Sequence, residues 1–176
     1  MNCGVSIPET NWPQWLEAVA NTDSLRSVEL PASLLDDDRQ CSRLIADYGL
    51  HCLHVRDLIP PSVSQYICET SDAIQRQARQ ELLRLTERYR ELGVKSVSLD
   101  LGLDHIRRAS VETGITARVS FLRGLQSDLG DNHPVSICIP LRYPPPFPGC
   151  RAWEYAANVV HDVMSSSFTM TVDIFP

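Results

Sequence analysis

The sequence predicts an α/β fold in which parallel strands alternate with helices. The first observation is the stretch 71–102, where an amphipathic helical pattern changes, one residue after Gly93, into the β-branched strand pattern VKSVSLDLG. The second is that similar strand and helix patterns recur along the whole chain, as about six βα units. The third is that the units are joined by short links. We therefore expect residues 1–176 to form a single α/β domain.

The helix within this stretch has an apolar face and a charged face. Apolar or small residues recur in steps of three and four, the period of one helix face: Ile74, Ala78, Leu82, Leu85, Tyr89 and Leu92. The residues between them, among them Gln75 and Arg79, are polar or charged and are expected to face solvent. Ser71 is expected to cap the first turn by accepting a backbone N–H bond, and Gly93 to end the helix in the left-handed conformation.

The remaining elements follow from the same two periodicities. Short apolar runs rich in β-branched residues predict strands at 3–7, 25–30, 50–55, 97–101, 135–139 and 168–175. Between these strands the pattern predicts four more helices: one capped by Asn11, one with caps at 36–38 that ends at Gly49, one over 115–129 that Gly124 weakens, and an alanine-rich one over 150–164.

Composition and charge exclude several classes of protein. A chain of 176 residues with 43% hydrophobic and 22% charged content is typical of a soluble globular domain. Its net charge of −6 gives no electrostatic reason to expect a nucleic acid or an acidic membrane as partner. No apolar run approaches the roughly 20 residues of a membrane helix, and the start, MNCGVSIPE, has no signal-peptide pattern. We expect a cytoplasmic protein with no nucleic-acid and no membrane partner.

The cysteines do not form a metal-binding or redox motif. No two of the six stand in a close CxxC arrangement. Buried, reduced thiols are expected, and a zinc site or a catalytic cysteine is the alternative. The six residues are Cys3, Cys41, Cys52, Cys68, Cys138 and Cys150.

Two architectures fit six βα units. A doubly wound sheet is complete with six strands, whereas a (β/α)₈ barrel needs eight, usually in about 250 residues. The number of strands favours the open sheet. The absence of a G-x-G-x-x-G or Walker A loop after any strand, and the polar groups at several strand ends, favour the barrel. Both architectures remain open at this point.

Five stretches carry a resemblance to a known family. In chain order, GVSIPE, VELPA, LHCLHV, VKSVSLDLG and MTVDIFP resemble the xylose isomerase-like TIM barrels. That superfamily includes sugar and sugar-phosphate isomerases and epimerases, and endonucleases of the endonuclease IV type. The resemblance implies a barrel of the (β/α)₈ type that is incomplete here, with about its first six βα units. It also implies a small carbohydrate as ligand.

The resemblance also implies a divalent metal. In the family, Mn, Mg or Zn is held by a carboxylate at the end of strand five, an Asp ending strand six, and ligands on strands seven and eight. Asp173 matches the strand-six ligand, but Pro140 and Arg142 stand where the strand-five carboxylate should be. With one ligand of that set, this chain is expected to hold the metal weakly or not at all.

Carboxylates also end or follow the first four strands, at Glu9, Glu29, Asp57 and Asp100. At the rim of a barrel they could bind a metal, or act as general bases on a carbon next to a carbonyl, as isomerisation and epimerisation require. Helix capping or pairing with arginines is the alternative. Asp100 is favoured because Gly102 leaves room for a ligand to approach the backbone. We predict Asp100 and Glu29 as catalytic residues and Glu9 as a substrate-binding residue.

Two further side chains complete the predicted site. His54 is predicted to be catalytic, with a structural histidine as the alternative. It is expected on the opposite face of its strand from His51, because side chains alternate. Arg142 could bind a phosphate or carboxylate of a substrate, or else pair with Asp173 on the neighbouring strand.

The predicted function is that of a sugar or sugar-phosphate isomerase or epimerase. Two alternatives remain open. One is a non-catalytic barrel homologue that binds a sugar-like ligand or a protein partner, which the missing strand-five carboxylate favours. The other is a metal-dependent phosphoesterase or endonuclease of the same superfamily, which the acidic charge disfavours. Because an open barrel leaves its first and last strands as free edges, a homo-oligomer is expected.

Overall fold

The computed structural model describes residues 4–37, 39–58, 67, 71–101, 111–130, 135–143, 151–163 and 168–174. The strands in these ranges are β1 (Gly4–Ser6), β2 (Ser27–Pro31), β3 (His51–Arg56), β4 (Ser96–Ser98), β5 (Ser136–Tyr143) and β6 (Phe168–Ile174). The helices are α1 (Trp12–Ala20), α2 (Ala32–Asp37), α3 (Arg39–Asp47), α4 (Asp72–Glu91), α5 (Val111–Leu129) and α6 (Ala152–Val163). None of these helices is both long enough and apolar enough to span a membrane.

The order of the strands distinguishes the two predicted architectures. The six strands form one sheet in the order β1-β2-β3-β4-β5-β6, and every neighbouring pair is parallel. A doubly wound sheet reverses its strand order near the middle, so that alternative is wrong. Right-handed crossovers between consecutive strands place the helices on one face of the sheet, as in a TIM barrel. The barrel-type α/β fold is therefore confirmed, over six βα units.

The two faces of the sheet differ in polarity. Apolar residues of the strands, and Leu99 directly after β4, are at most 1% exposed, face the helices and belong to the main core cluster; the strand residues are Val28, Leu30, Val55, Val97, Ile137 and Ile139. Leu82, Leu85 and Phe121 are among the helix residues of the same cluster. Because side chains alternate along a strand, the residues between the apolar ones lie on the opposite face. Those residues are mostly polar, and this polar face contains the candidate site.

The ends of the predicted helices are formed partly as expected. Gly49 and Gly93 have φ values of 63° and 81°, so the predicted left-handed helix ends are confirmed. The predicted side-chain caps are wrong, because neither Ser71 nor Asn11 makes a side-chain bond to its helix. Asn11 itself is left-handed, with φ 56°, whereas a capping side chain normally needs an extended backbone.

Helix α4 buries a polar edge that its sequence pattern assigned to solvent. Gln75 and Arg79 are only 2% and 6% exposed, whereas Ile74 and Leu92 are 37% and 44% exposed. The reason is a second contact, with α5: the Gln75 amide donates to the Ala117 carbonyl at 3.0 Å. The period of the helix predicts the face that packs on the sheet, but not this side contact.

Arg79 explains why a glycine lies within α5. Its Nε donates to Asp128 Oδ2 at 2.9 Å, and its Nη2 lies 3.6 Å from Asp72 Oδ1. A Cβ atom added at Gly124 would come within 2.6 Å of the guanidinium carbon. Gly124 therefore allows the close approach of this buried arginine, at some cost in helix propensity.

Several boundaries differ from the predictions. Helix α3 begins at Arg39, directly after the predicted caps at 36–38, whereas α2 is an additional helix that the pattern did not predict, and β4 ends at Ser98. Strand β5 continues through Pro140 to Tyr143. The Cys138 carbonyl points to the β4 side, where it accepts the Leu99 N–H, so position 140 faces the same side. Because the β4 pairing has ended there, the missing N–H of Pro140 costs no ladder bond.

Candidate functional site

A row of polar side chains crosses the polar face of the sheet. Ser6 pairs in register with Glu29, Glu29 with His54, and His54 with Ser96. Neighbouring strands lie about 4.8 Å apart, so these four residues lie side by side; we call them the polar row. Ser98, two residues after Ser96, lies on the same face. Ser6 ends β1, Glu29 is the middle residue of β2, and His54 lies two residues before the end of β3, so the row lies close to the end at which TIM barrels carry their active sites.

His54 is held by two serines of the neighbouring strand. Its Nδ1 lies 2.7 Å from Ser96 Oγ, and its Nε2 lies 2.7 Å from Ser98 Oγ. In a neutral imidazole, one of these nitrogens donates its proton and the other accepts a hydroxyl proton. Both ring nitrogens are thus engaged, which fixes the orientation of the ring. A catalytic role for His54 stays a prediction.

The predicted relation between His51 and His54 is wrong. The β2–β3 pairing skips Leu53, so His51 and His54 match Ser27 and Glu29. Since those two β2 residues are two positions apart, they lie on one face, and so do both histidines. The extra residue in β3 interrupts the strict alternation on which the prediction rested. The same irregularity places His54 next to Glu29.

Glu29 stands between a hydroxyl and a guanidinium. Its Oε1 accepts a bond from Ser6 Oγ at 3.3 Å and lies 3.8 Å from Arg56 Nε. Arg56 also donates from Nη2 to the Ile7 carbonyl at 2.7 Å, and its Nη1 lies 3.9 Å from Asp57 Oδ2. The Glu29 side chain is 36% exposed, so a ligand on this face can reach it.

Glu9 and Asp57 lie at the rim in structural contacts. Glu9 Oε1 accepts a bond from Ser33 Oγ at 2.8 Å, which joins the segment after β1 to helix α2. Asp57 follows β3 directly with a left-handed φ of 58° and lies beside Arg56. A substrate-binding role for Glu9 stays a prediction.

Asp100 lies just beyond the end of β4 and is exposed. It comes two residues after Ser98, the hydroxyl of which contacts His54. The next residue, Leu101, is buried, and its carbonyl accepts a bond from the buried Arg118 guanidinium at 2.6 Å. This segment is thus anchored immediately after Asp100. Gly102, on which part of the prediction rested, lies outside the described residues.

Arg142 and Asp173 occupy paired positions on β5 and β6. The backbone therefore places them side by side, as expected for neighbouring strands. Their side chains lie outside the described part of the structure. Substrate binding by Arg142 and metal binding by Asp173 stay predictions.

The described side chains do not fit a divalent metal site. Within the described ranges, no group of three or more His, Cys, Asp or Glu residues is arranged to hold a metal ion. Glu29 and Asp57, two carboxylates of the described rim, both lie beside the Arg56 guanidinium, at 3.8 Å and 3.9 Å. A cationic side chain thus occupies the position between them.

The sequence patterns did not identify Arg56, Ser6, Ser96 or Ser98 as site residues; arginines near the rim were expected only as partners for the carboxylates. The two β4 serines alternate with apolar residues in SVSL, the pattern of a half-polar strand. That alternation was the available signal for their common face. Their contact with His54 depends on the β3–β4 register, which the sequence does not show.

Three cysteines fall within the described residues, and all three are buried free thiols: Cys41, Cys52 and Cys138. Burial, together with the nearby Cys41 thiol, raises the pKa of Cys52 to about 12. A thiol that stays protonated is a poor nucleophile. For these three residues the structure agrees with the expectation of buried thiols; Cys3, Cys68 and Cys150 lie outside the described ranges.

We expect Cys52 to resist alkylation in the folded protein. At pH 8, iodoacetamide should modify Cys52 roughly 100-fold more slowly in the native protein than in urea, because the thiolate is the reactive form. The pKa of Cys52 in the folded protein lies above the ordinary value of 9.0. The contribution of Cys52 to the free energy of unfolding should therefore be full below pH 9 and be lost as the pH rises from there towards 12. Peptide mass spectrometry of the labelled samples measures the rate of modification, and urea unfolding at pH 8 and 10 measures the change in the free energy of unfolding. Rapid native labelling of Cys52 would contradict the prediction.

A sequential parallel sheet with polar residues at its strand ends defines the TIM-barrel class. No protein-family profile and no curated protein sequence matches this chain. Among solved structures, D-psicose 3-epimerase from Clostridium cellulolyticum H10 with D-tagatose is 16% identical, with a TM-score of 0.72, over 98% of this chain and 63% of that one. The 3-keto-D-glucoside 4-epimerase from E. coli is 12% identical, with a TM-score of 0.66, over 98% and 68%.

Two further similar structures are of proteins that are not named as sugar epimerases. A xylose isomerase domain protein from Alicyclobacillus acidocaldarius is 14% identical, with a TM-score of 0.63, over 96% of this chain and 61% of that one. An AP endonuclease, family 2, from Brucella melitensis is 12% identical, with a TM-score of 0.67, over 97% and 68%. At these identities the likeness concerns the fold. The chain has the fold of xylose isomerase-like TIM barrels, and it spans 63% of the length of the D-psicose 3-epimerase.

Proposed function

We propose that this chain provides the substrate-binding face of an isomerase or epimerase for a small carbohydrate, with Glu29 as a proton-transfer group. The observation that carries the proposal is the polar row, in which the accessible Glu29 carboxylate lies between Ser6 and His54. The sugar epimerases among the similar structures support the same class of ligand. A position on a strand, with a hydroxyl bond to Oε1, suits a group that must be held in one geometry.

The reaction needs a base beside a carbon that is next to a carbonyl. The base takes the proton from that carbon, the electron pair of the C–H bond moves into an enediolate, and a proton then returns to the same carbon or its neighbour. Through His54, Glu29 is in register with Ser96 of β4, and Asp100 lies four residues beyond Ser96, so the backbones of Glu29 and Asp100 stand roughly 16 Å apart. At that separation the two carboxylates do not flank one sugar carbon, so we assign the proton transfer to Glu29.

The two alternative functions predict different behaviour. A non-catalytic homologue would bind a sugar without exchanging its protons. An endonuclease would need to attract a polyanion, and the net charge of −6 weighs against that. Proton exchange between sugar and solvent is therefore the decisive measurement.

The experiment follows deuterium incorporation by ¹H NMR. Protein is incubated in D₂O with D-fructose, D-tagatose or D-psicose, and the signals of the protons next to the carbonyl carbon are integrated over time. We expect their loss with at least one of the sugars, and a slower loss, by roughly 100-fold or more, with Glu29→Gln. Glu17→Gln, which changes an exposed carboxylate on α1, is the matched control and should exchange at the original rate.

The outcomes separate the candidate functions. Undiminished exchange by a folded Glu29→Gln variant would exclude Glu29 as the base. Sugar binding without exchange by the unmodified protein would overturn the catalytic proposal in favour of a binding protein.

A further inference from the structure

The guanidinium of Arg56 has few partners within the described residues. It makes one hydrogen bond there, from Nη2 to the Ile7 carbonyl, and its Nε is buried with no hydrogen-bond partner. It lies on the same face as the polar row, two residues after His54. We propose that Arg56 and Glu29 together bind hydroxyl groups of an uncharged sugar, so that the ligand of this site is a neutral carbohydrate. The inference rests on the proposed function and specifies its substrate class.

The two side chains offer donors and an acceptor side by side. Arg56 Nε and Glu29 Oε1 are 3.8 Å apart, beyond the range of about 2.7–3.2 Å of a direct hydrogen bond. About a third of each side chain is exposed, 32% for Arg56 and 36% for Glu29. A sugar hydroxyl both accepts and donates, so it can take an N–H from Arg56 and give its own proton to Glu29. A small rotation of the Glu29 carboxylate would also bring Oε1 within hydrogen-bond range of the buried Arg56 Nε–H.

The local charge favours a neutral ligand over an anionic one. Two carboxylates, Glu29 and Asp57, lie 3.8 Å and 3.9 Å from the same guanidinium. The three groups together carry a net negative charge when the carboxylates are ionised. A phosphate or carboxylate bound to Arg56 would therefore meet like charges at close range, which disfavours it. Hydroxyl groups carry no such penalty.

The test compares ligands that share a carbon skeleton but differ in charge. Binding of D-fructose and D-fructose 6-phosphate is measured by isothermal titration calorimetry, and D-gluconate serves as a second anionic probe. We expect D-fructose to bind the unmodified protein most tightly. Arg56→Lys keeps the positive charge but loses the planar fork of donors, so it should weaken D-fructose binding by roughly tenfold or more. Arg26→Lys is the matched control, because Arg26 donates to backbone carbonyls at the end of α1.

A second variant tests the charge argument separately. Asp57→Asn removes one negative charge, and asparagine tolerates the left-handed backbone at this position. It should strengthen the binding of D-fructose 6-phosphate several-fold relative to D-fructose. In the unmodified protein, the Arg56 Nε–H signal in ¹H–¹⁵N spectra should shift when D-fructose is added, which needs no variant at all.

Each outcome decides for or against the inference. Tighter binding of the phosphate or of gluconate than of D-fructose would overturn it, as would undiminished D-fructose binding by a folded Arg56→Lys variant. Failure of all three ligands to bind the unmodified protein would overturn it too. D-fructose binding that depends on Arg56 but comes without deuterium exchange would leave the subsite standing while the proposed catalysis fails.

Discussion

Replacing Arg118 by methionine should lower the free energy of unfolding by roughly 3 kcal/mol. Arg118 is 5% exposed, and its guanidinium donates to the carbonyls of Leu101 at 2.6 Å and Gly114 at 2.9 Å. Methionine fills a similar space but donates nothing, so the Leu101 carbonyl loses this donor, at a cost of about 1–3 kcal/mol for a buried group, whereas the Gly114 carbonyl keeps the backbone N–H of its own helix. Urea unfolding followed by circular dichroism measures the difference.

The same substitution should also loosen the segment that carries Asp100, since Leu101 follows it directly. Arg123→Met is the matched control: Arg123 lies on the same helix but is exposed, and it donates to the Asp162 carbonyl. That change should cost roughly 0.5 kcal/mol or less. Equal losses for the two variants would show that the bonds of Arg118 do not hold the end of β4.

Local periodicity predicts most of the helices and strands of this fold, because the spacing of apolar residues within one segment distinguishes a helix from a strand. Helix α4 was expected between a cap at Ser71 and an end at Gly93, and it forms from Asp72 to Glu91, with the apolar face on the core. Its polar edge was misassigned, because Gln75 and Arg79 are buried by α5, an element distant in sequence. A repeating pattern along one helix contains no information about a neighbour that contacts it with polar groups.

The order of the strands is a second property that local patterns leave open. A doubly wound sheet and a barrel both consist of apolar strands alternating with amphipathic helices. The resemblance at the strand ends pointed to the barrel, and the sequential pairing confirms it. The polar groups at those ends proved the more informative signal, since the count of six strands pointed to the wrong architecture.

The candidate site depends on register, and register could be predicted only in part. Glu29 was expected at a strand end and His54 within the third strand, but their direct pairing results from the skipped residue Leu53. The two serines that hold His54 also become neighbours only through the β3–β4 pairing. Residue types at strand ends can thus be read from the sequence, whereas their contacts arise from pairings that the sequence does not encode locally.

Strands β1 and β6 are the two edges of the described sheet. The Ile7 N–H donates to the Glu29 carbonyl, so by alternation Val5 also faces β2, while Gly4 and Ser6 direct their N–H groups outwards. An edge without lysine or proline invites pairing with another chain. Trp15 on α1, the helix after β1, is 48% exposed and adds apolar surface on the first βα unit.

We therefore expect the polypeptide 1–176 to associate into a dimer or a larger assembly at micromolar concentration. Size-exclusion chromatography with light scattering should give a mass of at least twice 19.8 kDa. Gly4→Pro removes one outward N–H but leaves the hydrogen bonds to β2 through Val5 and Ile7. The substitution fits sterically, because a Cβ atom added at Gly4 meets only ordinary contacts, the nearest at 3.6 Å. This variant should shift the equilibrium towards the monomer if β1 pairs with another chain, whereas Trp15→Glu should do so if the apolar surface of α1 is the contact. A monodisperse species near 19.8 kDa for the unmodified polypeptide would contradict the prediction, because neither free edge would then recruit a partner.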